Sequence, residues 1–106
     1  MKTLDALARD LETRRTSAAA LVETALERIK DPEGEGARTF LRVDEAGARE
    51  TAHYVDGLRR RKAQPSRYAG IPISVKDLFD IAGEVTTVGS VALKDQPPAQ
   101  ADAPAV

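Results

Sequence analysis

Ala69-Gly70-Ile71-Pro72-Ile73-Ser74-Val75-Lys76-Asp77-Leu78-Phe79-Asp80, continued through Gly83 to Thr86-Thr87-Val88-Gly89-Ser90, is the stretch of this chain that can carry chemistry. Ile71, Ile73 and Val75 recur at every second position, so as a strand they share one face while Ser74 and Lys76 share the other. This sets an ammonium group beside an apolar run, which is costly unless the amine is paired, hydrogen-bonded or neutralised. Lys76 is therefore either a paired structural cation or a tuned base. Asp77 points to the opposite strand face and reads as a structural hydrogen-bonding group, and Ser74 as a packing residue. Val85-Thr86-Thr87-Val88, β-branched and bounded by Gly83 and Gly89, reads as a second extended piece or an ordered loop.

Upstream of this stretch the periodicity is helical. Leu4, Leu7, Ala8 and Leu11 fall on one helix face, with Thr3 as N-cap and Asp5 in the first turn. Thr16 and Ser17 offer a second cap ahead of the stripe Leu21, Val22, Ala25, Leu26 and Ile29, and the expectation is an antiparallel pair of helices. Residues 31–36, with Pro32, Gly34 and Gly36, read as an exposed loop, and residues 39–43 as a short extended segment. Asp44 caps a third helix whose buried face is Ala48, Ala52, Val55 and Leu58; Gly47 and Gly57 weaken it by up to about 1 kcal/mol each. It ends in Arg59-Arg60-Arg61-Lys62, read as a solvated helix terminus that complements the macrodipole. Ser90 caps a short helical turn containing Leu93, and Asp102 with Pro104 marks a further helix start. The division is a helical section over residues 1–64, a strand and loop region over 65–95 and the start of a truncated helix over 96–106.

Composition narrows the function classes. Hydrophobic residues are 42% of the 106, but many are Ala and aromatics are 4%, so the core material is thin and the chain reads as a piece of something larger. A net charge of −1 with 31% charged residues argues against a nucleic-acid or membrane module. The absence of Cys removes disulfides, thiolate nucleophiles and Cys-ligated zinc, and fits a cytoplasmic protein. Met1-Lys2-Thr3-Leu4-Asp5 leads into alternating charge with no apolar run of signal-peptide length. His53, the single histidine, has no partners at metal-ligand spacing and reads as a helix-surface residue; no metal is expected. Gly34-Glu35-Gly36 fails the dinucleotide pattern because Thr39 stands where its third glycine belongs.

Gly70-Ile71-Pro72-Ile73-Ser74-Val75-Lys76-Asp77-Leu78-Phe79-Asp80, with Gly83 and Thr86-Thr87-Val88-Gly89-Ser90, resembles the N-terminal part of the amidase signature family. The resemblance extends to Leu21-Val22-Glu23 with Leu26 and Ile29, the segment from Phe40 to Asp44, Ala48 and Ala52 with Asp56, and Asp102-Ala103-Pro104-Ala105-Val106. It implies an α/β protein: the N-terminal fragment of an α/β/α fold, helices leading into the first strands of a mixed sheet. It also implies amide hydrolysis by a Ser/cis-Ser/Lys triad in which Lys76 is the base, on a small-molecule amide, with no cofactor. The serines of that triad belong to a glycine- and serine-rich segment; Ser17, Ser66, Ser74 and Ser90 stand outside any such motif, so the chain is expected to be inactive alone. Two alternatives stand beside this. One is the glutamine-hydrolysing subunit of a tRNA-dependent amidotransferase, acting with partner subunits; the other is a non-catalytic interaction protein derived from an amidase, forming a homo-oligomer to cover its strand edge.

Overall fold

The Thr3 hydroxyl accepts from the Ala6 amide at 3.2 Å and starts α1, Leu4–Glu12, with Asp5 in the first turn. The structure, a computed structural model, describes residues 2–106; Met1, at the start of the segment read as lacking a signal peptide, lies outside them. α2 spans Ala18–Lys30, α3 Gly36–Thr39 and α4 Glu45–Arg60, and a 3-10 turn covers Val91–Leu93. The chain divides into two compact units, the first ending at Pro72 and the second spanning Ile73–Val106.

In the first unit α2 is the central element. Its N-terminus is capped from two directions: the Ser17 hydroxyl accepts from the Ala20 amide at 3.1 Å. The Asp56 carboxylate on α4 accepts from the amides of Ala18 and Ala19 at 2.8 and 3.1 Å. Ala18, Val22 and Leu26 form the core with Ala52 of α4, flanked by Ala19, Ile29 and Ala48. The small side chains at 48 and 52 let the two helices approach closely. α2 takes its main packing from α4 and α3, not from α1 as the sequence led us to expect. α1 instead anchors its own end: buried Asp10 pairs with Lys2 and Arg15, and the Asp10 carbonyl accepts from the amides of Arg15 and Thr16.

Asp44 caps α4 by accepting from the Gly47 amide at 3.0 Å. Gly47 was expected to weaken this helix, but a Cβ there would lie 2.2 Å from Asp44 Oδ2, so the missing side chain makes room for the cap. The loop expected over residues 31–36 reaches into α3, whose first residue, Gly36, is buried, and a Cβ there would meet the Ile29 carbonyl oxygen at 2.0 Å. That helix also takes Thr39 out of the expected extended segment. Beyond α4, Arg59 donates to the carbonyl oxygens of Ala69 (Nε, 3.0 Å) and Arg67 (2.6 Å). Arg59 is thus a clamp on its own chain, while Arg60, Arg61 and Lys62 are exposed.

The expected mixed sheet is corrected: among the described residues there is no strand. Residues 71–76 carry the alternating pattern but no ladder, since a strand satisfies its amides and carbonyls through a neighbouring strand and no such neighbour stands beside this segment. Ser74 and Lys76 are exposed there, so the packing role expected for Ser74 is not what is found. The second unit is held by hydrogen bonds rather than by a core. Gly83 donates to the Ala99 carbonyl and Ala99 to that of Glu84, both at 2.8 Å. The Asp102 carboxylate accepts from the Ala82 amide at 2.8 Å, so Asp102 ties down a turn and no helix follows it. The short helical turn containing Leu93 is present, but the cap expected from Ser90 is not: its side chain makes no capping hydrogen bond.

Candidate functional site

The chain folds back immediately after Lys76. The Lys76 carbonyl accepts from the amides of Leu78 and Phe79 at 2.7 and 3.1 Å, making a tight turn that leaves the lysine side chain exposed. Asp77 points its carboxylate into the next loop. Asp77 Oδ1 accepts from the Thr87 amide at 2.9 Å, while Oδ2 accepts from the Thr87 hydroxyl and, at 3.3 Å, from the Gly89 amide. The structural hydrogen-bonding role read for Asp77 in the sequence is the one it has.

The loop it holds is a tight turn closed by the Ser90 amide donating to the Thr87 carbonyl at 2.8 Å. Its central residues, Val88 and Gly89, have φ of 53° and 70°. Glycine takes such a φ freely, whereas a β-branched valine there is strained and needs surrounding contacts to hold it. Three bonds to one carboxylate supply such contacts. A second pair runs alongside, with the Thr86 hydroxyl donating to Asp80 Oδ1 at 2.7 Å. Thus Asp77 with Thr87, and Asp80 with Thr86, join the turn after Lys76 to the 86–90 loop.

Electrostatics follow this geometry. The Thr87 hydroxyl, then its amide, hold the Asp77 carboxyl below the usual carboxylate range, because each bond favours the charged form. In the first unit Lys2 and then Arg15 do the same for Asp10.

The sequence pattern singles out Lys76 and misses Thr86, Thr87 and Asp80 as site-building groups. Their signal is present as polar side chains recurring on either side of Gly83, but β-branched residues between glycines read first as extended chain. His53 is exposed on α4, as expected. Among the described residues no three His, Cys, Asp or Glu side chains are grouped to hold a metal ion. No helix among them is long and apolar enough to cross a membrane.

Comparison with known proteins places this site in a family context. The family model described as Amidase matches residues 20–106. The A-type chain of the glutamyl-tRNA(Gln) amidotransferase of Myxococcus xanthus is 37% identical over 94 residues, covering 87% of this chain and 19% of the relative. An amidase of Pseudomonas putida is 36% identical over 91 residues, 85% of this chain and 19% of that protein. AtzE, a component of the 1-carboxybiuret hydrolase of Pseudomonas sp. strain ADP, is 38% identical over 104 residues, 97% of this chain and 22% of AtzE. A solved structure described as an unexpected vestigial protein complex, revealing the evolutionary origins of an s-triazine catabolic enzyme, superposes with a TM-score of 0.83 at 36% identity. It covers 96% of this chain and 22% of its own. The chain therefore spans about a fifth of the length of the relatives it matches.

Proposed function

The chain belongs to the amidase family, and on that premise we propose that it supplies the lysine base, Lys76, and part of the scaffold of an amide-bond hydrolase. The observation that carries this reading is Lys76-Asp77 joined by hydrogen bonds to the Thr87-Val88-Gly89-Ser90 turn, inside the span the family model matches. In the reaction a serine hydroxyl attacks the amide carbonyl. Its proton passes through a bridging serine to the Lys76 amine, and the lysine returns a proton to the departing amine as the C–N bond breaks. Water then releases the acyl group by the same relay in reverse. Neither serine of the relay lies in a matching motif among these 106 residues, so the nucleophile comes from outside them and the chain by itself is inactive. The substrate is a small amide; a cytoplasmic setting, suggested by the absence of cysteine, and an oligomer or a complex with partner chains belong to the same reading.

Replacing Lys76 tests it. In the complete protein Lys76→Ala lowers kcat for an aryl amide by about 10²- to 10⁴-fold, the range a positioned general base supplies, with an unchanged circular dichroism spectrum. Near-normal turnover overturns the assignment.

A second reading is favoured by the relatives that belong to glutamyl-tRNA(Gln) amidotransferases. On it the hydrolysed amide is glutamine, and partner subunits receive the ammonia. Co-purification of partner subunits that raise glutaminase turnover favours this second reading over a free-standing amidase.

A further inference from the structure

Lys76 is exposed, and the backbone bonds from Leu78 and Phe79 to its carbonyl close a turn of purely local chain. A base that must meet a proton within hydrogen-bond reach needs its Cα fixed against something less local. The one residue between the lysine and the rest of that turn, Asp77, makes the connection: its two carboxylate oxygens accept from the Thr87 amide, the Thr87 hydroxyl and the Gly89 amide across a sequence separation of 10 and 12 residues. A single side chain thus satisfies donors on a loop whose valine is held at a strained positive φ.

We infer that Asp77 is a positioning residue for Lys76: by gripping Thr87 and Gly89 it sets the direction in which the lysine side chain leaves the backbone. This rests on the reading of Lys76 as the base. The carboxylate needs both oxygens as acceptors, so asparagine, which has nearly the same shape but turns one acceptor into a donor, breaks the grip with little change in volume. Thr87→Ser keeps the hydroxyl, and Thr87→Val removes it while keeping the branch.

A double-mutant cycle in the complete protein decides the matter, with aryl amide hydrolysis followed to low residual rates by mass spectrometry. Asp77→Asn is expected to lower kcat about 10- to 100-fold with KM little changed, since a displacement of about 1 Å costs on that order. In the Lys76→Ala background the same substitution is expected to cost nothing further, because the group it orients is gone. Thr87→Ser retains kcat and Thr87→Val lowers it. Two outcomes overturn the inference while leaving the base assignment intact: Asp77→Asn with wild-type kcat beside an inactive Lys76→Ala, or an equal loss in both backgrounds that follows the fall in Tm. A wild-type rate in Lys76→Ala overturns the base assignment and the positioning role together.

Discussion

Asp77 gains its bonds as a carboxylate, so its contribution to the second unit depends on pH with a definite sign. Hydrogen bonds from the Thr87 hydroxyl and amide lower its folded-state value below that of the unfolded chain, about 3.9. A depressed carboxyl stabilises the folded form above the unfolded value and loses that contribution as pH falls through the folded one. The expected outcome is that exchange protection of the Thr87 and Gly89 amides stays level from neutral pH to about 4 and declines below it. Asp77→Asn should show no acid decline and lower protection throughout. Hydrogen exchange followed by NMR at several pH values checks this, and a decline beginning near neutral would point to a different group.

Among the elements, α2 depends most on a distant residue. It has 13 residues, a length at which an isolated helix is marginal in water. Its first amides are met by Ser17 locally and by Asp56 from α4, 38 residues beyond Ala18. Asp56→Ala leaves the Ala18 and Ala19 amides without that acceptor and is expected to cost about 1–2 kcal/mol, comparable to losing a strong cap. Urea unfolding monitored by circular dichroism measures this; no change in the midpoint would mean that water replaces the carboxylate at no loss. Arg49, which reaches both Glu23 and Glu45, joins the same two helices, but its pairs are only half-buried and add little.

For the molecule as a whole, the two units differ in what holds them. The first has a buried core of Leu11, Val22, Leu26 and alanines; among the described residues of the second no hydrophobic side chain is buried, and Ile73, Val91 and Val88 are 81%, 78% and 59% exposed. A unit held by backbone and side-chain hydrogen bonds in contact with water opens easily, because each net bond contributes little against conformational entropy. For this 106-residue chain the amides of Ile73–Val106 are therefore expected to exchange faster than those of α2 and α4. Mass-spectrometric hydrogen exchange checks this; equal protection in both units would show that hydrogen bonding alone suffices for the second.

Local signals made α1, α2 and α4 legible in the sequence, caps included: Thr3, Ser17 and Asp44 each serve an amide three residues ahead, within the reach of a single helical turn. The family, too, was legible, because Lys76-Asp77 and the glycines after it are contiguous signals. The sheet was not. Alternation at Ile71, Ile73 and Val75 says which side chains would share a face, but a strand exists only where another backbone completes its ladder. The site's frame escaped for a related reason. That Asp77 holds Thr87, or Asp56 the head of α2, depends on the chain returning to itself across 10 or 38 residues, and the tertiary structure alone decides where it returns.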